Sequence, residues 1–169
     1  MESSKTRSHS HPVITQDQNN TTLWIGHMQN DPNDHLAGQT FTCPSSGTMD
    51  NIQVYSTAVQ NPGDVELTLH VFDPGSKSWG PAIAQSSVLV EKSDHSKWIR
   101  FALPAIPMQH GAHYGFRLHT DNAMIGLGEA ATGTKEPFTF GHEWNADSKD
   151  QQGHYYSYFS LAFRVELCA

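Results

Sequence analysis

Outward-facing aromatic and arginine side chains are the groups of this chain best suited to holding a ligand. Trp98 and Arg100 alternate with Ile99 and Phe101, Arg117 and His119 with Phe116 and Leu118, and Tyr156 and Tyr158 oppose Phe159, Leu161 and Phe163. Alternate residues of an extended chain point to opposite faces, so each of these polar or aromatic pairs should leave the core. An aromatic face stacks on the weakly positive C–H groups of a sugar ring, and Arg or His then fixes orientation through hydrogen bonds to hydroxyls or carboxylates. If these strands are neighbours, one outer face carries Trp98, Arg100, Arg117, His119, Tyr156 and Tyr158, with Trp144 and its neighbour Glu143 at the rim. The same residue types also suit a contact between subunits, or plain cross-strand pairing on an exposed sheet.

Other chemistries find weaker support. There are 11 histidines, but the one His-x-His pair, His9 and His11, precedes every strand, and His110 and His113 have no carboxylate close in sequence. Scattered imidazoles fit that pattern better than a catalytic metal site, which needs three or four converging ligands. No cofactor is expected. Structural calcium is the one candidate, because oxygen ligands in loops suffice for it; Asp31, Asn33 and Asp34, or Asp147 and Asp150, would supply them, and the plainer alternative is a turn whose Asp and Asn bond to local backbone. A small polysaccharide-active hydrolase or lyase needs two facing carboxyl groups. Glu129, Glu136 and Glu143 lie where a loop would have to bring two of them together. No Gly-x-Ser-x-Gly elbow occurs, and Cys43 ends an apolar strand, a place for packing rather than nucleophilic attack.

Short strands are the elements that must position these groups. Val65, Leu67, Leu69 and Val71 share one face against Glu66, Thr68 and His70, and Ile52 and Val54 alternate with Gln53 and Tyr55. Tyr114, Phe116 and Leu118 do the same, and the run from Tyr155 to Leu167 reads as one strand with Phe159, Leu161, Phe163, Val165 and Leu167 inward. Less marked strands fall near residues 23–28, 38–43, 82–90, 98–103, 123–127 and 137–142. Turn sequences such as Asn61-Pro62-Gly63-Asp64 and Asp73-Pro74-Gly75-Ser76 separate them. No segment holds an apolar period of 3.6 beyond two turns. The pattern predicts an all-β fold, a two-sheet antiparallel β-sandwich of about ten strands. Residues 1–20 should form a flexible polar arm and residues 21–169 a single β-sandwich domain.

The order of motifs resembles the jelly-roll β-sandwich modules of bacterial secreted and cell-surface proteins. The resemblance lies in Gly38-Gln39-Thr40-Phe41-Thr42-Cys43, then Ser46-Gly47-Thr48-Met49-Asp50-Asn51-Ile52-Gln53-Val54-Tyr55, and continues through Trp79-Gly80, residues 98–103, residues 111–116 and Leu161-Ala162-Phe163-Arg164. Such modules are similar to carbohydrate-binding modules. The resemblance therefore implies a lectin-like, non-catalytic role with a carbohydrate or other polyhydroxylated ligand, and it carries over no catalytic residue.

Composition bounds the partners. The formal net charge is −7, with only 16% of residues charged. Polarity comes instead from Ser, Thr, Asn and Gln, which together number 47. That acidic balance argues against nucleic acid and against an anionic membrane surface, both of which select basic patches. No run approaches the ~18 apolar residues of a membrane span. A homo-oligomer remains compatible with the aromatic face. A complete chain without an apolar leader would be expected in the cytoplasm, and a fragment of an exported protein outside it. Two cysteines, Cys43 and Cys168, allow at most one disulfide.

Overall fold

β-Branched and aromatic residues that alternate with Thr, Gln and charged groups suit a pleated surface buried on one side. In the computed structural model, which describes residues 9–27, 34–132 and 137–169, they form fourteen strands, all paired antiparallel. In chain order these are β1 (Ser10–Gln16), β2 (Thr21–His27), β3 (Asp34–Thr42), β4 (Gly47–Asn61), β5 (Gly63–Asp73), β6 (Ser78–Val90) and β7 (Lys97–Ala102). Then follow β8 (Pro107–Met108), β9 (His113–His119), β10 (Met124–Ala131), β11 (Glu143–Asp147), β12 (His154–Tyr156), β13 (Phe159–Leu161) and β14 (Phe163–Cys168). The described residues contain no α-helix.

The ladders form one continuous sheet in the order β1, β14, β4, β10, β2, β3, β9, β5, β6, with β7 and β8 on β4, β13 on β10, β11 on β3 and β12 on β11. Along that path, the ladder between β2 and β3 is the shortest among the described residues, with the pairs Gly26↔His35 and His27↔Asp34. The sheet curls. Phe163 of β14 meets Phe41 of β3 and Phe116 of β9 with ring centroids 6.2 and 5.7 Å apart, although those strands are far apart in sheet order. The inner faces thus close on a single core that includes Ile52, Leu67, Leu69, Phe101, Leu118 and Val165.

Alternation holds through β9 and β14, and departs elsewhere for identifiable reasons; in β4 it slips at irregularities in the ladders to β14 and β10, so that Met49, Ile52, Val54 and Val59 are all buried. Ser10–Gln16 is a strand against β14 rather than part of a loose arm, because Ile14 and Gln16 are buried there and Gln16 Nε2 donates to the Leu161 carbonyl. The run from Tyr155 to Leu167 falls in three strands, interrupted at Ala162 and by a bend at Ser157 and Tyr158 whose carbonyls accept from Phe138 N and Thr132 N. Residues 137–142 form no strand, although Phe140 O and His142 O accept from Thr42 N and Thr40 N. Val71 keeps the inner parity of β5 but is 50% exposed, while the outward His70 and Phe72 are buried under side chains described below. Cys43 and Cys168 are both free thiols.

Candidate functional site

The outward residues expected to form one face separate into several groups. Trp98 and Arg100 lie on β7 beside β4, facing Tyr55 and Gln53 across the ladder. There they satisfy one another: Arg164 stands 3.8 Å over the Trp98 ring, Tyr55 packs edge-on against it at 5.3 Å, and Arg100 donates to Asp50 at 3.0 Å. Arg117 and His119 leave the core of β9 as expected, but β10, β2 and β3 separate them from β4 in the sheet order. His119 pairs with Asp121 at 3.2 Å and lines a separate small recess with Asp64 and Glu66. Tyr156 packs edge-on against Phe159, and Tyr158 lies 38% exposed in the bend after β12. The single face through Trp98, Arg117 and Tyr156 does not form, because the strands that carry these residues are not neighbours.

Arg117 instead gathers partners of its own. Across the outer face, Trp144 of β11 stands opposite Gly38 of β3, Gly38 opposite Arg117 of β9, and Arg117 opposite Thr68 of β5. The Arg117 guanidinium carbon lies 4.3 Å from the Trp79 ring centre and 4.4 Å from that of Trp144, in the corner made by two indoles 5.4 Å apart. Each contact of this kind contributes about 1–2 kcal/mol where water is displaced. Trp144 is therefore no solvent-facing rim residue. It is buried on a strand, with Nε1 donating to the Gln152 carbonyl.

Two glycines make room for the rings. A Cβ at Gly115 would lie 2.5 Å from Trp79 Cζ3, and one at Gly38 would lie 3.0 Å from Trp144 Cε3. Trp79 cannot simply slide aside, since Nε1 donates to Tyr155 Oη at 2.8 Å and Phe72 packs against the ring at 5.1 Å. Gly115→Ala is therefore expected to cost about 1–3 kcal/mol, as overpacking does, and to shift the tryptophan emission. A thermal melt and emission spectrum identical to wild type would contradict this tight seating.

The cluster opens into a recess of about 630 Å3 lined by His70, Ser76, Lys77, Ser78, Trp79, Gly80, Arg117, Gln151, Gln152, Gly153 and Tyr155. His70 is fixed in it: Nδ1 donates to the Gly80 carbonyl and Nε2 accepts from Thr68 Oγ1, both at 2.8 Å. Burial, and secondarily the nearby Arg117 charge, push the His70 imidazole below its usual value, so it stays neutral. Lys77 Nζ sits 5.3 Å over the Tyr155 ring. Of these residues, only Arg117 was singled out as a ligand group by the sequence. Parity would have found His70, which opposes Leu69. Trp79 and Tyr155 gave no such signal, since the first follows a turn and the second has the parity of core residues in an unbroken strand.

Glu143 points the other way from Trp144. It stands opposite Gln39, an inward residue, and is 1% exposed. The fold brings it against Glu129, which is 8% exposed and accepts from Thr21 Oγ1 at 2.6 Å. Burial first, then a carboxyl contact and the charge of Glu129, push Glu143 up to about 10. Ionised, it would have no donor for either oxygen. Protonated, it sits beside Glu129 without a second buried charge. Two of the three glutamates considered for glycoside chemistry thus meet, but within the fold and away from the recess; Glu136 lies outside the described residues.

The remaining candidates resolve locally. Asp147 Oδ1 accepts from the backbone N–H of Lys149 and Asp150, and Asp150 from Gly153 N and His154, as in ordinary turns. Asp31 and Asn33 lie outside the described residues, and Asp34 pairs with His27 at 2.8 Å. No group of three or more metal-ligating side chains occurs among the described residues. The chain matches no protein-family model, and no curated protein matches it in sequence.

Proposed function

We propose that this chain is a jelly-roll β-sandwich module that binds a carbohydrate or related polyhydroxylated ligand, without catalysis, in the recess walled by Trp79, Arg117 and Tyr155. One observation carries the reading: a recess of about 630 Å3, within the roughly 300–1,000 Å3 usual for small-molecule sites, combines aromatic walls with a fixed guanidinium. Gln151, Gln152, Ser76 and Ser78 add amides and hydroxyls suited to sugar hydroxyls. The curl that sets Phe163 against Phe41 and Phe116 supports the two-layer form of such modules. The buried Glu129 and Glu143 pair favours binding over hydrolysis, since neither carboxyl lines the recess.

Assembly through a sheet edge is the second reading. Among the described residues, strand β6 pairs only with β5, and its Ile83 and Leu89 are 39% and 59% exposed. A glycan array of neutral and acidic glycans, probed with wild type and Trp79→Ala, separates the two. Glycan capture should occur and weaken about tenfold in the variant, the effect of removing one aromatic stacking partner, with the strand content by circular dichroism unchanged. An empty array together with a stable dimer by light scattering would replace the binding reading with the assembly one.

A further inference from the structure

We infer that the ligand of this recess is an acidic sugar, whose carboxylate seats against the free edge of Arg117; the inference rests on the carbohydrate reading and specifies its substrate class. Charge distribution is the first argument. The protein carries a net charge of −7, yet none of the residues lining the recess is acidic, and two, Arg117 and Lys77, are cationic. The carboxylates nearest the recess, Asp73 and Asp150, are taken up by Ser76 and by Gly153 and His154, so the lining itself presents a local field that attracts an anion.

Arg117 is also the described arginine that lacks an acceptor. Arg100 has Asp50 and Arg164 has Gln53 Oε1, whereas Arg117 makes no hydrogen bond or ion pair with any described residue and its Nε is buried without a partner. With Nε sealed, the terminal nitrogens are the donors left to the recess. A half-buried guanidinium without a counter-charge is costly, and a carboxylate supplies both the charge and the two parallel acceptors that its planar edge matches. The indoles hold that edge in place before the ligand arrives, which lowers the ordering cost of binding.

The neighbouring groups suit the rest of such a molecule. His70 has both ring nitrogens engaged and is neutral, so it adds no second charge. Gln151 and Gln152 offer amides at distances set by their loop rather than by a strand. A doubly charged phosphate ordinarily draws on helix N-terminal amides. The recess has none, and with Lys77 held over the Tyr155 ring, Arg117 is the cation that presents an unfilled planar edge, the shape of a carboxylate partner.

The test titrates the full chain with D-glucuronate and D-galacturonate against D-glucose, D-galactose and acetate. Tryptophan fluorescence and the Arg117 Nε–H and indole N–H signals in NMR report binding. At least one uronate should bind tenfold or more tightly than its neutral counterpart and than acetate, move the Arg117 Nε–H signal, and weaken as salt is raised. Arg117→Gln should lose that tenfold preference, and Arg117→Lys should retain part of it. Equal binding of uronates and neutral sugars, unchanged in Arg117→Gln, overturns the inference while the carbohydrate reading stands. Acetate binding as tightly as the uronates, with no binding of the neutral sugars, overturns both the acidic-sugar assignment and the carbohydrate reading, and so does binding of none of the five.

Discussion

Phe163→Ala is expected to remove about 3–5 kcal/mol of stability, the usual cost of deleting a fully enclosed phenyl group. Phe163 has no exposed surface, and its ring meets those of Phe41, Phe116 and Phe140 at 6.2, 5.7 and 5.6 Å. It stands where β14 passes over β3 and β9, so the cavity left by Ala opens at the closure of the curled sheet rather than at its margin. Backbone ladders on both sides, to Val54 and to Gln16, limit how far β14 can sink to fill it. Against a typical domain stability of about 5–15 kcal/mol, the loss is about a fifth or more. Urea melts should show a lowered midpoint with a similar slope. Phe163→Leu should recover most of the difference, and Tyr158→Ala, at an exposed bend, should change stability by less than about 0.5 kcal/mol. A loss below about 1.5 kcal/mol in Phe163→Ala would mean that the two parts of the sheet do not close on this ring.

Period-two alternation was enough to place Phe163, Leu167, Phe116 and Leu118 inside and Arg117 and His119 outside, because parity along a strand is a local property. It revealed the all-β class for the same reason. Adjacency is not local. Trp98 and Arg117 have equivalent outward positions in sequence, yet one faces Tyr55 on β4 and the other Trp79 and Trp144. That difference depends on ladders between segments far apart in the chain. Parity also fails where a strand breaks. Once the Ser157 and Tyr158 bend resets the chain, Tyr155 is free to close the Arg117 recess while Tyr156 packs on Phe159. Gly38 and Gly115 act as floors for two indoles, a role that becomes visible only with the rings in place.

Glu143→Gln should stabilise the protein by about 2–3 kcal/mol near pH 7 and flatten its stability profile in mild alkali. In the unfolded chain this carboxyl titrates near 4.5, and in the fold it is pushed up to about 10. The folded state therefore holds a proton that the unfolded state releases, and stability falls as pH rises through the interval between those values. Below about pH 4.5 the group is protonated in both states and exerts no differential effect. Above it, each pH unit removes about 1.4 kcal/mol, so by pH 7 the penalty is about 3 kcal/mol, and it keeps growing toward the folded value. Glutamine has nearly the same shape and cannot ionise, while its amide N–H groups, placed where neither Glu143 oxygen has a hydrogen-bond partner, offset part of the gain. Chemical denaturation of both proteins between pH 5 and 9 checks the sign as well as the size. The curves should converge at the acidic end and separate steadily with pH, wild type falling beneath the variant. Parallel curves across that range would show that Glu143 ionises in the fold as readily as in water, and that the carboxyl pair is not sealed as its burial indicates.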